Sequence, residues 1–291
     1  MTDTTDTSAR ASIAHYYDRS TRRFLRIGGS GAALAIHRPL WAPGITTPEA
    51  AADHVNTLVA EAAEEALGCA PGQVVDLGCG VGGTLFHLAR RWPSAAATGL
   101  TLSAEQVTLA REFAAARGLA DRCAFMVGDF LDPPAGLAPT DLAVAIESSV
   151  HTPSAPAFLR AAAARLRPGG VLILVEDTLA GPEAALDARG RALLAQFRRG
   201  WHLGHVATAE DLIAAASDAG LASAGAQDLT GLLRLDRPRD RLLRPLGPLA
   251  DALGLARLPV FANIIGGNAL TQAYRAGIMR YRMLVFRKDR P

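Results

Sequence analysis

The stretch that most constrains this chain is QVVDLGCGVGG, residues 73–83. A short apolar run closes on glycines, and GGTLFHLARRW continues it as a helix. A strand turning into a helix through residues without side chains lets the backbone approach a ligand closely. The same rhythm then repeats. AATGLTLS reads as a second strand followed by the helix AEQVTLAREFAAARG, and CAFMVGDF as a third strand. TDLAVAIES is a fourth, APAFLRAAAARL its helix, and GGVLILVEDT a fifth. Strands alternating with amphipathic helices demand a mostly parallel sheet covered on both faces.

The flanks are organised around that sheet. Residues 1–10, MTDTTDTSAR, read as a disordered leader, and 11–72 as an N-terminal helical arm or lid. Within the arm, Thr47 and Pro48 have the character of an N-cap and first helical residue for an alanine-rich helix ending near Leu67. Residues 73–291 form the sheet domain, with a cap insertion at about 181–277. Helices are expected near 183–199 and 208–219, and strands at SAGAQDLT and YRMLVFRK. The expected fold class is α/β: a Rossmann-like, seven-stranded, mostly parallel sheet with helices on both faces, a helical arm and a helical cap.

Composition narrows the partner. The formal charge is +2, from 30 basic and 28 acidic residues, so no long-range field argues for nucleic acid or an anionic membrane. No apolar run reaches the roughly 18 residues of a membrane span, so no stable membrane association is expected. A small molecule is the expected partner; homo-oligomerisation is left open. Every basic residue except Lys288 is arginine, which weakens the case that any one arginine cluster is there for chemistry. Cys69, Cys79 and Cys123 have no metal spacing and make an odd count, as in a reduced cytoplasmic protein.

Gly78, Gly80 and Gly83 make a G-x-G-x-x-G pattern, which fits dinucleotide binding too. A dinucleotide fold places an acid about 20 residues on to hold the ribose. Here that position reads TGLTLS, with no acid. More informative is Asp76-x-Gly78-x-Gly80-x-Gly82, an acid before an unobstructed turn. At this point the sequence resembles class I S-adenosylmethionine-dependent methyltransferases, over residues 73–180. VVDLGCGVGG is similar to their first motif, GDF at 128–130 to the acidic motif beside adenine, and LRPGGVLIL to the entry into their fifth strand. GLTLSAEQ is a narrower match. It resembles the branch of cyclopropane-forming and sterol or prenyl C-methyltransferases, where Thr-Leu-Ser and a glutamine replace the ribose acid.

The resemblance implies S-adenosylmethionine as cofactor, with Asp76, Gly78 and Gly80 at its amino-acid end. It gives Thr101, Leu102 and Gln106 to the ribose, Asp129 and Phe130 to adenine, and Tyr17 and Glu147 to the methyl donor's side. A cofactor without phosphate fits this turn, whose task is to bring a carboxylate and backbone carbonyls to a cationic group.

LAVAIESSVH, residues 142–151, ends an apolar strand on Glu147, with His151 four places later. Glu147 either faces the reacting centre or caps the following helix; His151 either acts as a base or is a loop residue. The segment resembles IE…H of sterol and prenyl diphosphate C-methyltransferases, and also ES…H of natural-product O-methyltransferases. The first resemblance implies C-methylation of an isoprenoid diphosphate through a carbocation, with Glu147, His151 and Tyr17 as catalytic residues. The second implies O- or N-methylation, with His151 as base. Candidate acceptor contacts are Tyr16, Arg22, Arg23, Arg26, Trp41 and His202. Arg198–Arg199 and Arg280–Arg282 are further candidates for a phosphate site. No protein metal site is expected; Mg2+ would enter only with a diphosphate.

Overall fold

The computed structural model describes Asp18, Thr21, residues 34–235 and residues 259–290, the last stretch with side chains from 265 onward. Tyr16, Tyr17, Arg22, Arg23 and Arg26 lie outside the described residues.

The described elements run α1 (Pro48–Leu67), β1 (Gln73–Leu77), α2 (Gly83–Arg91), β2 (Ala96–Thr101), α3 (Ala104–Ala116), β3 (Cys123–Val127), β4 (Thr140–Ile146) and α4 (Ala155–Arg165). They continue with β5 (Leu166–Leu179), α5 (Ala188–Trp201), α6 (Ala209–Asp218), β6 (Leu221–Asp228), α7 (Pro259–Arg275) and β7 (Met279–Lys288). Local signals set the ends. Thr47 Oγ1 accepts from the Ala50 N–H at 3.2 Å, and Gly68 ends α1 in the left-handed region with φ 75°. Ser103, Ser154 and Asp187 cap α3, α4 and α5 with side-chain oxygens, and Thr208 with Asp211 forms a capping box on α6.

The seven strands make one sheet in the order β3-β2-β1-β4-β5-β7-β6. β1 to β5 pair in parallel, while β7 runs antiparallel between β5 and β6. Successive residues of a strand face opposite sides. Val74, Leu142, Val144, Ile173 and Val175 therefore enter one core with α1, α2, α3 and α5. Val75, Leu77, Ala143, Leu172 and Leu174 enter the other with Phe158 and Leu159 of α4 and Leu212 of α6. Full burial of such a side chain contributes roughly 1.5–3 kcal/mol.

α1 lines Ala51, Val55, Val59 and Ala63 into the main core, so this part of the expected arm is a wall of the domain. The expected strands at SAGAQDLT and YRMLVFRK are β6 and β7; β6 pairs with β7 as an edge of the seven-stranded sheet, and α6 covers it. Among the described residues no helix is long and apolar enough to cross a membrane.

The chain leaves β1 towards β2 on one side, and β4 lies on the other. The crevice at such a reversal, beyond the carboxyl ends of the strands, is where ligands bind in open α/β sheets.

Candidate functional site

The turn after β1 sits at that crevice. Gly78 has φ 106°, and a Cβ there would lie 2.4 Å from Ser148 Cβ, just past β4. Only glycine lets these two strand ends meet so closely. Ser148 Oγ donates to the Leu77 carbonyl at 2.5 Å, and the Gly78 and Cys79 N–H groups bond the Leu100 carbonyl at 2.9 Å. The turn, β2 and the β4 exit are thereby one rigid corner.

Asp76 is 3% exposed, and no hydrogen bond or ion pair joins its carboxyl group to a described residue. Burial pushes its pKa up to about 7. An unpaired buried carboxylate is costly unless a cation joins it. The ammonium end of S-adenosylmethionine is such a cation, so the donor set fits this cofactor.

At the end of β2, Thr101 Oγ1 donates to Gln106 Oε1 at 2.6 Å, and Gln106 Nε2 donates to Thr21 Oγ1 at 3.2 Å. Ser103 Oγ donates to Asp18 Oδ1 at 2.5 Å. Thr101, Ser103 and Gln106 are buried. The Thr-Leu-Ser-x-x-Gln sequence therefore ties part of the N-terminal segment to the sheet, and of its members Leu102 stays half-exposed at the edge. Asp129 follows β3 on the same edge, its Oδ1 accepting the Leu131 N–H at 2.8 Å, with Phe130 edge-on to Phe158 at 5.6 Å.

Past β4, Glu147 adopts φ 53°, a left-handed conformation that costs a non-glycine residue roughly 1–2 kcal/mol. Its Oε1 accepts the Arg38 backbone N–H at 2.8 Å and the Tyr281 hydroxyl at 2.8 Å, and Oε2 lies 2.9 Å from Arg38 Nη1. Arg38 Nη2 lies 2.7 Å from Asp177 Oδ2, and Tyr274 donates to Asp177 Oδ1. The guanidinium thus pairs with both carboxylates at ion-pair distance, and the Arg38 backbone N–H adds a directed hydrogen bond to Glu147. The guanidinium also sits 5.2 Å from the Trp201 ring centre and 5.5 Å from that of Tyr281. Burial works against the charge on Arg38, but Asp177 and Glu147 outweigh it and raise its pKa. For Asp177 burial lifts the pKa to about 6, with Arg38 opposing; for Glu176 burial, helped by Asp177, lifts it to about 8. His151 is driven the other way, to about 4, by burial, and its Nδ1 lies 3.4 Å from the His202 carbonyl.

Comparison with known proteins places this geometry. Residues 74–170 match the family described as "Methyltransferase domain". Over those residues the chain carries a methyltransferase domain. A stretch of 144 residues is 33% identical to the chloroplastic tocopherol O-methyltransferase of Arabidopsis thaliana, a match covering 48% of this chain and 41% of the relative. Other relatives, matched over shorter stretches, are named N-methyltransferases and a sterol 24-C-methyltransferase. Among solved structures, the geranyl diphosphate C-methyltransferase of Streptomyces coelicolor A3(2) superposes with a TM-score of 0.71 at 18% identity, covering 96% of this chain and 98% of that one. The [4+2]-cyclase SpnF superposes with a TM-score of 0.70 at 25% identity, covering 96% of each chain. The chain spans less than half the length of these curated relatives, so their likeness concerns the matched stretch alone.

Within the methyltransferase domain, the carboxyl edge brings together Asp76, Gly78, Gly80, Thr101, Leu102, Gln106, Asp129, Phe130 and Glu147. Glu147 does not cap the next helix, because Ser154 does. Trp41 belongs to the strap 34–41, its N–H on the Leu232 carbonyl and its ring 3.4 Å below the Arg234 guanidinium. His202 is an exposed left-handed C-cap of α5. Arg198 pairs with Glu183 at 2.7 Å and Arg280 with Asp228 at 3.6 Å. The residues that sequence reasoning passed over are Arg38, Asp177, Tyr274, Tyr281 and Trp201. One signal was available: VEDT ends β5 on two acids, just as β4 ends on Glu147.

Proposed function

We propose that this methyltransferase domain transfers a methyl group from S-adenosylmethionine to a hydroxyl oxygen or amine nitrogen of a small molecule, with His151 as base. The observation that carries this reading is the division of labour after β4: Glu147 is engaged by Arg38 and Tyr281, while His151 beside it is kept neutral by burial. When bound, the cofactor supplies a methyl group on a sulfonium. Asp76 would hold its ammonium, Gly78 and Gly80 its backbone contacts, Thr101, Leu102 and Gln106 its ribose, and Asp129 with Phe130 its adenine. Tyr17, outside the described residues, would reach it from the N-terminal side. The chain's own part is then alignment, which lowers such barriers by about 7–11 kcal/mol, and a proton acceptor. The His151 imidazole would hold the proton that the acceptor gives up.

A second reading is C-methylation of an isoprenoid diphosphate, in which Glu147 and the rings of Trp201 and Tyr281 would face a carbocation. Those ring faces support it. Against it stands the Arg38 guanidinium, a cation already seated between the acids and the rings. Any Mg2+ would arrive with the diphosphate, and Arg22, Arg23 or Arg26 would have to supply its counter-charge. Incubation with methyl-labelled S-adenosylmethionine and a panel of phenols, amines and prenyl diphosphates separates the two. Label in phenol or amine products supports the first reading; label confined to prenyl diphosphates replaces it with the second.

A further inference from the structure

Three observations meet at Arg38. Its backbone and its guanidinium both reach Glu147, its second guanidinium nitrogen reaches Asp177, and two aromatic rings flank it. The residue is carried by the strap 34–41, which is fastened just after it: Leu40 N–H bonds the Ala51 carbonyl at 2.8 Å and Trp41 N–H the Leu232 carbonyl at 2.8 Å. Glu147 is joined to the cofactor turn through its neighbour Ser148, whose Cβ fills the space a side chain at Gly78 would need. The carboxylate that Arg38 covers is therefore next to the place where a sulfonium would dock.

Resting on the reading above, we propose that Arg38 is a positioning residue that sets the charge facing the methyl donor: it pairs with both Glu147 and Asp177, so that the sulfonium meets one net negative charge and not two bare carboxylates. The chemistry gives this a purpose. In methyl transfer the positive charge leaves sulfur as the reaction proceeds. A bare carboxylate beside the sulfur would stabilise the bound donor more than the transition state, which tightens binding and slows the chemical step. One guanidinium shared between two acids cancels one of their two charges and weakens that attraction. Its backbone anchor keeps it there without needing an acceptor.

The test uses two cofactor forms that differ in charge at sulfur: S-adenosylmethionine, a sulfonium cation, and S-adenosylhomocysteine, a neutral thioether. Calorimetry on the whole chain gives the ratio of their dissociation constants. Arg38→Gln is expected to raise the preference for the sulfonium by about tenfold, the scale of one unscreened charge at a partly buried site. Arg38→Lys should return the ratio close to that of the unaltered protein, and adding Glu147→Gln to Arg38→Gln should take back much of the gain. Should Arg38→Gln not fold, Glu147→Gln alone is informative, since it leaves Arg38 with one acid and should lower the sulfonium preference several-fold. A ratio that stays fixed in these variants, while both ligands still bind, overturns the role of Arg38 and leaves the methyltransferase reading standing. If the unaltered protein binds neither ligand, that reading falls and the role of Arg38 with it.

Discussion

Replacing Asp76 by asparagine should make the ligand-free protein more stable while removing its hold on the cofactor. The carboxyl group is enclosed at the end of β1 with no partner among the described residues, and burial lifts its pKa from 3.8 to about 7. The folded state thus binds a proton more tightly than the unfolded chain does. Stability contributed by this group is greatest when it is protonated and is lost as pH rises from about 4 to about 7. At about 1.4 kcal/mol per unit, the full loss is on the order of 4 kcal/mol. Asparagine keeps the shape and carries no charge, so Asp76→Asn should gain about 2–4 kcal/mol at pH 8.5 and almost nothing at pH 4. For a chain of this size that is a rise in Tm of several degrees at the higher pH. Scanning calorimetry across pH measures it. Saturating S-adenosylhomocysteine, at about 100 times its Kd, should add about 2.7 kcal/mol to the unaltered protein and far less to the variant. Equal or lower stability of the variant at pH 8.5, together with an undiminished ligand shift, would refute the argument that Asp76 is a charge waiting for a cation.

Three further outcomes are expected. His151→Gln should lower kcat by roughly 10²–10⁴-fold with little change in cofactor affinity. Because burial holds the His151 pKa near 4, the unaltered enzyme should show no loss of activity from this group between pH 8 and about 5; an acid limb near 6.5 that disappears in His151→Gln would contradict the burial. Gly82→Ala places a Cβ 2.7 Å from the Phe125 ring at φ 89°, so the melting temperature should fall by an amount corresponding to about 1–3 kcal/mol, and an unchanged melt would mean the turn is softer than it looks. Gln106→Ala removes the contacts to Thr101 and Thr21 and takes the acceptor from the buried Thr101 hydroxyl, costing about 1–3 kcal/mol; hydrogen exchange around Thr21 should quicken, and unaltered exchange would separate Thr21 from this corner.

The amino-acid sequence alone carried the sheet, because that information is local: α1 begins at its Thr-Pro signal, β1 to β5 follow from period and turn residues, and the glycine turn announces a ligand through the side chains it lacks. It also singled out Glu147 as an acid ending a buried strand, a costly arrangement that has to be met by something. What it could not give was the partner. Arg38 lies 109 residues away from Glu147 and Tyr281 lies 134 away on β7, and no local pattern links them. In a chain whose basic residues are nearly all arginine, one more arginine in AIHRPLW carries no mark of its own. Likewise α1 read as part of an arm, since its sequence does not say which surface it covers. Tertiary structure decided those points, because pairing of charges and burial of faces depend on which distant segments the closed sheet brings within a few ångströms.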